Sequence, residues 1–596
     1  MDRTAFLLRE LLEHPRITQR ALAGRLSMSL GSVNALLADA AARGLTDPEE
    51  RVITEKGRAF LEPYRMEGAV IMAAGFGSRF VPLTYDVPKG LLKVFGERMV
   101  ERQIRQLREA GITDITIVVG YLKEKFEYLI DKFGVKLLYN PWYEDHNNIS
   151  TVYAARHLLK GRNMYLLSSD NWMRENLFHL YEPGAWYSSV FQEGETREWV
   201  LTCSRKGIIT DVSVGGKDAW VMYGPVCLSR EFSEALLPAL EKDFASPGKE
   251  QYYWENVYID LLRMNRGKRT MPAMAINRQP ADVVYEFENL EELRGFDDYY
   301  RDHSDNAAME LISRVFGIPQ SGIRGLTCLK AGMTNQSFLF TTDQGKYICR
   351  IPGVGTEQLI DRKQEADNYH AVAHLDISEK VIYIDPGTGY KISLYYEGSR
   401  NADPADPEDM RRCMQLVRRL HASGVTVDHS FDLRERIGFY EKLCLESGGI
   451  PFEDYALVRG WMEEVLDQLD AMGRPKVLAH IDSVATNFLF IPGPSGESLR
   501  LIDWEYAGMA DPLLDIAMCA IYSYYTKEQT EQLTEFYFGR TPTEEEQRIV
   551  FRYMALGGFL WALWAVYKSN LGKSFGDYTL VMYRYAKDYY KKAMAI

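Results

Sequence analysis

Residues 68–90 read GAVIMAAGFGSRFVPLTYDVPKG, and this stretch decides the fold of the middle of the chain. It opens with an apolar run as long as one buried strand and then enters a glycine-rich loop. Apolar runs recur in ITDITIVVG at 112–120 and MYLLSSD at 164–170, with helical patterns such as VERQIRQLREAG at 100–111 between them. This alternation predicts an α/β domain with a mixed, mostly parallel sheet. Ligands bind such domains at the carboxyl ends of the strands, where the loops meet.

The glycine-rich loop carries the groups that bind a polyphosphate. Gly75 and Gly77 let backbone amides approach phosphate oxygens, Arg79 supplies a fixed cation, and Lys89 adds a point-like charge. The string G-x-G-x-R-x-x-P-L-T-x-x-x-P-K lacks the GKS or GKT of a Walker loop and is not the dinucleotide fingerprint. It resembles the signature of the nucleotidyltransferases that build sugar nucleotides and CDP-alcohols. That resemblance implies a Rossmann-like domain over residues 66–300, with Ala73 and Ala74 also beside the nucleotide.

Nucleotidyl transfer needs a metal ion, because an anionic phosphate must approach a tetra-anionic nucleotide. Asp170 ends the strand MYLLSSD, and VVYEFENLEEL places Glu286 and Glu288 on one face of a strand. An acidic strand end exposed to solvent is the alternative interpretation of that glutamate pair. The phosphocholine cytidylyltransferases, which this region resembles, hold Mg²⁺ with a strand-end Asp and a late acidic pair. The resemblance therefore implies that Asp170, Glu286 and Glu288 bind Mg²⁺ and that CTP is the cosubstrate.

Two further segments resemble the same subfamily. NPWYEDHNNISTVYAARHLL contains its Asn-Asn-Ile motif, and YYWENVYIDLL contains its Tyr-Trp-acid motif. A quaternary ammonium cannot be hydrogen-bonded, so a phosphocholine site would use aromatic faces and a nearby carboxylate. Each aromatic side chain could equally belong to the core. The predicted walls are Trp199, Tyr253, Trp254 and Glu255.

The last region, residues 308–596, contains the ordered acids of a kinase. HIDSVATNFLF supplies His480, Asp482 and Asn487, and LIDWEYAG places Asp503 after an apolar strand. A catalytic-loop Asp that orients the attacking hydroxyl, an Asn five residues on and a strand-end Asp for Mg²⁺ form the kinase constellation. We predict that Asp482 is catalytic and that Asn487 and Asp503 bind the metal.

Upstream segments predict where ATP binds. KAGMTNQSFLF is a candidate phosphate loop through Gly332, Thr334 and Asn335, and KYICRIPG puts Arg350 where protein kinases carry a phosphate-pairing Lys. Glu365, in the following helical stretch, can pair with Arg350. These residues and the D-W-E of 503–505 resemble the choline and ethanolamine kinases. The resemblance implies a two-lobed protein-kinase-like fold of the aminoglycoside-phosphotransferase type, with ATP as cosubstrate.

The same kinase resemblance implies a site for choline. Trp561 and Trp564 are three residues apart and therefore share one face of a helix, which by spacing alone also fits a buried core face. Together with Glu505 and Tyr578 they could form an aromatic cage for trimethylammonium. We predict these four residues as the choline site.

Residues 1–64 show the element order of a winged helix-turn-helix: three helices, a short Val52-Ile53 strand and a closing helix. The stretch resembles small regulator-type winged helices. Its candidate recognition helix offers Ser29, Ser32 and Asn34, with no Lys or Arg before Arg43. Nine basic residues up to Pro63 are offset by nine acidic ones. DNA therefore stays open as a partner, beside an accessory or dimerising role.

Composition sets the remaining limits. A chain of 596 residues exceeds one hydrophobic core, and a net charge of −13 argues against a protein that mainly coats nucleic acid or anionic membrane. Seven scattered cysteines without a CxxC motif indicate reduced thiols. The N-terminus is an amphipathic helix rather than a secretion signal, and the apolar stretch 557–566 is about half a membrane span. We expect a cytoplasmic protein without membrane insertion, and a homodimer stays open.

The two catalytic regions form one sequence of reactions. A choline kinase would make phosphocholine from choline and ATP, and a cytidylyltransferase would convert phosphocholine and CTP to CDP-choline and pyrophosphate. We therefore predict a bifunctional enzyme of CDP-choline synthesis with a winged-helix appendage. The alternatives are the same reactions on ethanolamine, an aminophosphonate or a sugar phosphate, and a DNA-binding regulator that senses choline metabolites.

Overall fold

The structure is a computed structural model that describes residues 2–47, 49, 51–265, 271–329, 335–353, 359–494, 496–573 and 575–595. The chain divides into two compact units. The first comprises Met1–Ser313 with Ile318–Ser321, and the second comprises Arg314–Gly317 with Gly322–Ile596. Each unit is described by itself.

A small helical domain opens the first unit. Its helices are α1 (Arg3–Glu13), α2 (Gln19–Arg25), α3 (Leu30–Ala42) and α4 (Glu55–Leu61). Side chains cap the N-termini of α2 and α3. The hydroxyl of Thr18 accepts a hydrogen bond from the amide of Ala21, and the hydroxyl of Ser29 accepts one from the amide of Ser32. The predicted strand is a single antiparallel bridge between Thr46 and Ile53. The winged helix-turn-helix prediction is confirmed.

The winged helix packs on the domain that follows it within the same unit. The guanidinium of Arg9 lies 2.9 Å from the carboxylate of Glu182, whose side chain is 1% exposed. The hydroxyl of Tyr165 donates to the other oxygen of Glu182 at 2.8 Å. Tyr181 joins the apolar core of the winged helix, and its hydroxyl donates to Glu62. The appendage is therefore fixed by a buried ion pair and a shared core.

The middle domain alternates strands and helices as predicted. Its strands are β1 (Gly68–Ala73), β2 (Lys93–Val94), β3 (Glu97–Arg98), β4 (Ile115–Val119), β5 (Lys136–Tyr139), β6 (Met164–Ser168), β7 (Asn171–Met173), β8 (Ala185–Cys203), β9 (Ile209–Leu228), β10 (Met274–Gln279) and β11 (Val284–Glu286). Its helices are α5 (Leu83–Asp86), α6 (Met99–Glu109), α7 (Tyr128–Phe133), α8 (Asn148–Leu159), α9 (Arg230–Phe244), α10 (Trp254–Met264), α11 (Leu290–Phe296) and α12 (Tyr299–Asp302).

One large sheet organises this domain. Within the described residues its strand order is β10-β8-β9-β6-β1-β4-β5. β1 pairs in parallel with β4 and β6, whereas β9 runs antiparallel to β6 and β8. β1 and β4 are buried almost throughout, which explains their continuous apolar runs. The predicted mixed, mostly parallel sheet is confirmed, and β1 and β6 end side by side at its carboxyl edge.

The second unit opens with strands and continues with helices. Helix α13 (Ala307–Phe316) belongs to the first unit up to Ser313. It is followed by β12 (Arg324–Cys328), β13 (Asn335–Thr342), β14 (Gly345–Pro352), α14 (Arg362–Val372), β15 (Val381–Ile384), β16 (Lys391–Leu394) and β17 (Arg400–Asn401). The helical part holds α15 (Pro407–His421), α16 (Leu433–Ser447), α17 (Tyr455–Ala471), β18 (Val477–Ala479), β19 (Phe488–Ile491), β20 (Ser498–Leu501), β21 (Gly508–Ala510), α18 (Leu513–Tyr522), α19 (Lys527–Phe538), α20 (Glu544–Asn570) and α21 (Tyr578–Ala595).

A five-stranded antiparallel sheet and a helical core form the two lobes that the sequence predicted. The sheet has the order β12-β13-β14-β16-β15, and α14 follows β14. Helix α20 runs through the core of the helical lobe. Among the described helices it is the one long and apolar enough to cross a membrane, but its apolar window is almost entirely buried inside the fold. Burial in a core explains that apolar composition.

Candidate active sites

The first site forms at the carboxyl end of β1, where the glycine-rich loop turns back onto Lys89. Gly77 adopts a left-handed conformation with φ of 71°, and a Cβ there would lie 3.2 Å from Lys89 Cβ. A Cβ on Gly90 would lie 2.6 Å from the hydroxyl oxygen of Ser169. Both glycines therefore permit the close packing that brings the loop against the end of β6.

The predicted cations and carboxylates of this site lie together. Lys89 Nζ is 2.6 Å from Asp170 Oδ2, and Arg79 forms an ion pair with Glu288. The side-chain amide of Asn171 donates to Glu286 at 3.1 Å. Opposite charges from the loop, from the end of β6 and from β11 thus meet within one site.

The carboxylates suit a hard divalent cation. Asp170 Oδ1 is buried and has no hydrogen-bond partner among the described residues. Burial opposes ionisation of Asp170, yet Lys89 holds its pKa below the ordinary value. Burial and the charge of Asp170 raise the pKa of Glu286 to about 7. No three His, Cys, Asp or Glu side chains in the described ranges are already arranged around one metal position, so a Mg²⁺ ion would also draw ligands from phosphate and water.

Two adjoining cavities meet at these carboxylates. The first, of about 590 Å³, is lined by the predicted nucleotide and metal residues Ala73, Ala74, Gly75, Gly77, Arg79, Lys89, Asp170, Glu286 and Glu288. The second, of about 870 Å³, shares Arg79, Asp170, Tyr253, Glu286 and Glu288 with the first and adds the predicted cage residues Trp199, Trp254 and Glu255. Two substrates bound in these cavities would therefore meet beside the same charged groups.

Glu255 is the buried charge of the second cavity. It lies in the first turn of α10, and it accepts hydrogen bonds from the hydroxyl of Tyr187 at 3.2 Å and from the amide of Asn148 at 3.4 Å. Burial raises the pKa of Glu255 to about 7. The ring of Tyr187 stacks on that of Trp254, and Trp199 meets Tyr253 edge to face. Sequence reasoning missed Tyr187, although strand alternation along AWYSSV places it on the opposite face from Trp186.

The second site centres on Asp482. The side-chain amide of Asn487 donates to Asp482 Oδ2 at 2.9 Å, and burial and the charge of Asp503 raise the pKa of Asp482 to about 7. Asp515, which sequence reasoning missed, accepts from the backbone amides of His480 at 2.9 Å and Ile481 at 2.6 Å. Ile481 has a φ of 69°, a strained conformation that these bonds hold in place.

The predicted ion pair of the strand lobe is present. Arg350 on β14 is paired with Glu365 on α14, and Arg350 Nη1 lies 3.8 Å from Asp503 Oδ1. Asp503 Oδ1 is buried without a hydrogen-bond partner among the described residues, so it too can serve a cation. The side-chain amide of Asn335 donates a hydrogen bond to Glu505 Oε2 at 3.1 Å. Gly332 and Thr334, the other predicted loop residues, lie outside the described residues.

Aromatic rings gather beside Asp482. The ring centroids of Trp561 and Trp564 are 6.2 Å apart, and Trp561 also contacts the rings of Tyr506 and Tyr522. Tyr578 lies near Tyr522, and both are close enough to Asp482 for its charge to raise their pKa, although burial is the larger cause. The predicted tryptophans and Tyr578 are therefore brought together, and Tyr506 and Tyr522 are walls that the sequence did not reveal.

Glu505 differs from its predicted position in the cage. Its carboxylate is bound by Asn335 and lies 3.5 Å from Arg362, so it belongs to the polar network of the strand lobe. Burial and the charge of Asp503 raise the pKa of Glu505 to about 8. The ring of the adjacent Tyr506, and not the carboxylate of Glu505, contacts the ring of Trp561. Glu505 and Tyr506 are the two central residues of a turn, in which the amide of Ala507 donates to the carbonyl of Trp504 at 3.3 Å, so the two side chains leave the turn in different directions.

Three family models match the chain. The nucleotidyl transferase model matches residues 68–183, the phosphotransferase enzyme family model matches residues 326–548, and the winged helix-turn-helix DNA-binding model matches residues 1–45. These matches follow the same order as the three architectures seen in the structure.

Individual proteins resemble separate parts of the chain. Choline-phosphate cytidylyltransferase of Streptococcus pneumoniae is 35% identical over 195 residues, which cover 33% of this chain and 84% of that protein. 2-Aminoethylphosphonate cytidylyltransferase of Lancefieldella rimae is 33% identical over 236 residues, which cover 39% of this chain and 92% of that protein. The crystal structure of choline kinase LicA from Streptococcus pneumoniae, at 30% identity and a TM-score of 0.42, covers 48% of this chain and 97% of that chain.

Proposed function

The chain belongs to the nucleotidyl transferase family, and on that premise we propose that it is a bifunctional enzyme of CDP-choline synthesis. It is a transferase with a second domain of the phosphotransferase type. The second unit would phosphorylate choline with ATP, and the middle domain would join phosphocholine to CTP. The observation that carries this proposal is the presence in one chain of two separate sites, each with the charged groups for one of these steps.

In the middle domain, Gly75, Gly77, Arg79 and Lys89 would hold the triphosphate of CTP. A phosphate oxygen of phosphocholine attacks the α-phosphorus of CTP, and the bond to the departing pyrophosphate breaks. No general base is needed, because the attacking phosphate is already an anion. Arg79 and Lys89 would offset the charge that develops on the phosphates. Mg²⁺, held by Asp170, Glu286 and Glu288, would supply further charge neutralisation.

In the second unit, Asp482 would orient the hydroxyl of choline toward the γ-phosphate of ATP and accept its proton. Arg350, fixed by Glu365, would bind phosphate oxygens, and Asn487 and Asp503 would hold Mg²⁺. The aromatic rings of Trp561, Trp564 and Tyr578 would face the trimethylammonium group, which offers no hydrogen-bond donor. Asn335 is proposed to act at the nucleotide through its position next to the phosphate loop.

The fusion of the two domains favours a phosphate ester over a phosphonate as the cytidylyl acceptor. A relative named for 2-aminoethylphosphonate matches the middle domain nearly as well as one named for choline phosphate. A phosphonate already carries its phosphorus atom and needs no kinase. A phosphotransferase domain in the same chain supports an acceptor that is made by phosphorylating an alcohol.

Two single substitutions test the assignment of two sites. Lys89→Ala should abolish CDP-choline formation from phosphocholine while leaving ATP-dependent choline phosphorylation, and Asp482→Ala should do the reverse. Product analysis by phosphorus NMR with choline, ATP, CTP and Mg²⁺ measures both steps together. Loss of both activities in either folded variant would contradict the assignment. Equal turnover of ethanolamine, or no preference for CTP among nucleotides, would contradict the choline version.

The winged helix is proposed as an accessory element of the enzyme. Its exposed α3 offers few donors to base edges, and the net charge of the chain is −13. A regulator would show sequence-specific DNA retention at physiological salt without turnover, and a homodimer would show in its solution mass. A cytoplasmic location is also proposed, because the seven cysteines are free in the structure, as in proteins of a reducing compartment.

A further inference from the structure

Arg362 is a buried arginine with no role in the reactions described above. It begins α14, and its side chain is 8% exposed. Its Nη1 lies 3.0 Å from Glu365 Oε2 and 3.5 Å from Glu505 Oε2, and its Nη2 donates to Asn335 Oδ1 at 3.1 Å. Asn335 Nδ2 in turn donates to Glu505 Oε2 at 3.1 Å. One guanidinium therefore joins three segments that are far apart in sequence.

Each of these segments carries part of the phosphotransferase site. Asn335 belongs to the predicted phosphate loop, Glu365 holds Arg350, and Glu505 lies two residues after Asp503. A guanidinium is planar and has donors on separate edges, so it can bind several acceptors in one fixed arrangement. The fold leaves room for it, since a Cβ on Gly389 would lie 2.7 Å from Arg362 Cδ.

Arg362 also separates two buried carboxylates. The side chains of Glu365 and Glu505 are 0% and 4% exposed, and both approach the same Nη1 atom. When Arg362 is removed, Glu365 keeps its ion pair with Arg350, whereas Glu505 loses the guanidinium that lies 3.5 Å from its Oε2. A buried carboxyl group that loses a donor is left with an unsatisfied oxygen, so Glu505 would shift toward other donors. Asp503, two residues earlier, would move with it.

We propose that Arg362 is a positioning residue of the phosphotransferase site. It holds Glu505, and through the chain Asp503, in a fixed relation to α14 and to Asn335. This inference rests on the proposed phosphotransferase function of the second unit. It assigns Arg362 no contact with substrate.

The test compares Arg362→Lys and Arg362→Met with the exposed neighbour Lys363→Gln as a matched control. Substitution of a residue that orients a metal ligand typically costs about 10–100-fold in metal affinity or activity. We expect Arg362→Met to raise the Mg²⁺ concentration for half-maximal choline phosphorylation by about tenfold or more. The KM for ATP should rise with it, whereas the KM for choline should change little. Arg362→Lys keeps the positive charge but loses the planar guanidinium. Its Mg²⁺ concentration for half-maximal choline phosphorylation should therefore lie between those of wild type and Arg362→Met.

Removal of one carboxylate should relieve the defect. In the double variant Arg362→Met with Glu505→Gln, the side-chain amide at position 505 can donate to Glu365 in place of the lost guanidinium, so the Mg²⁺ requirement should be lower than in Arg362→Met alone. CDP-choline formation from phosphocholine, measured on the same protein, should stay at wild-type level and reports that the chain is folded. If Arg362→Met does not fold, Arg362→Lys decides the question.

A wild-type Mg²⁺ requirement in a folded Arg362→Lys or Arg362→Met variant would overturn the proposal, even if the protein melted at a lower temperature. A choline KM that rises as much as the ATP KM would also overturn it. If wild-type protein does not phosphorylate choline, the proposed function fails first. Calorimetric titration of ATP with Mg²⁺ into wild type and Arg362→Lys would then decide the role of Arg362 separately.

Discussion

Glu255 gives the most direct test of the phosphocholine site, because its charge can be switched by pH. Burial raises its pKa from 4.5 to about 7, which corresponds to a cost of about 3 kcal/mol for ionising it in the cavity. With a pKa of about 7, about nine tenths of Glu255 is ionised at pH 8 and about one tenth at pH 6. The ionised form attracts the trimethylammonium group, and the protonated form does not.

The expected result is a loss of phosphocholine affinity as the pH falls through 7. The kcat/KM for phosphocholine should fall about tenfold between pH 8 and pH 6, in proportion to the ionised fraction. Glu255→Gln keeps the shape but has no charge to titrate. At pH 8 it should lower kcat/KM by about thirtyfold, since loss of one partner of a desolvated charge pair costs about 2 kcal/mol or more. Cytidylyl transfer is measured by release of pyrophosphate at saturating CTP.

The ratio of wild-type to Glu255→Gln activity isolates this group. The phosphate of phosphocholine also titrates, but it does so equally for both proteins and cancels in the ratio. Glu231→Gln, an exposed glutamate on α9, controls for removal of a surface charge. A ratio that stays constant from pH 6 to pH 8, or a Glu255→Gln variant as active as wild type at pH 8, would refute the reasoning.

Three further changes have defined outcomes. Trp561→Leu should raise the KM for choline about tenfold without changing the KM for ATP, because a desolvated cation–π contact contributes about 1–2 kcal/mol. Glu182→Ala should lower the free energy of unfolding by about 2–3 kcal/mol in urea titration, because it removes one of the two carboxylates paired with buried Arg9 and the acceptor of Tyr165. Asp515→Asn should lower kcat for choline phosphorylation at least tenfold, because Asp515 holds the strained backbone before Asp482.

Each of these changes has its own control. Trp461→Leu removes a tryptophan that stacks on Tyr590, away from the cage, and should leave the choline KM unchanged. Asp39→Asn breaks an exposed ion pair and should cost about 0.5 kcal/mol or less. The Asp515 variant should keep its cytidylyltransferase activity. The cation–π argument would be contradicted by an unchanged choline KM in Trp561→Leu. The ion-pair argument would be contradicted if Glu182→Ala lowered the free energy of unfolding no more than Asp39→Asn does. The argument for Asp515 would be contradicted by an unchanged kcat in Asp515→Asn.

Most of the first site could be predicted because its residues lie in short, uninterrupted segments. The string from Gly75 to Lys89 must supply glycines and cations at set distances along one loop, so the chemistry is visible in the order of residues. Asp170 follows the buried strand β6, which is parallel to β1, and parallel strands bring their carboxyl ends to one edge. Glu286 and Glu288 lie at the end of β11, which pairs antiparallel with β7 directly after Asp170. The roles of these residues stay predictions until activity is measured.

The sequence by itself determined the three architectures, the two sets of acids and the cations that accompany them, since each depends on local spacing. Only the tertiary structure decided which side chains complete the sites. The hydroxyl of Tyr187 on β8 donates to Glu255 on α10. The rings of Tyr506 and Tyr522 contact Trp561. Glu505 contacts Arg362 and Asn335 instead of lining the aromatic cage. Aromatic and charged residues look alike in sequence whether they serve the core or a cavity. Their partners lie far away in sequence, for example 68 residues for Tyr187 and Glu255 and 170 residues for Asn335 and Glu505, so packing rather than spacing selects among them.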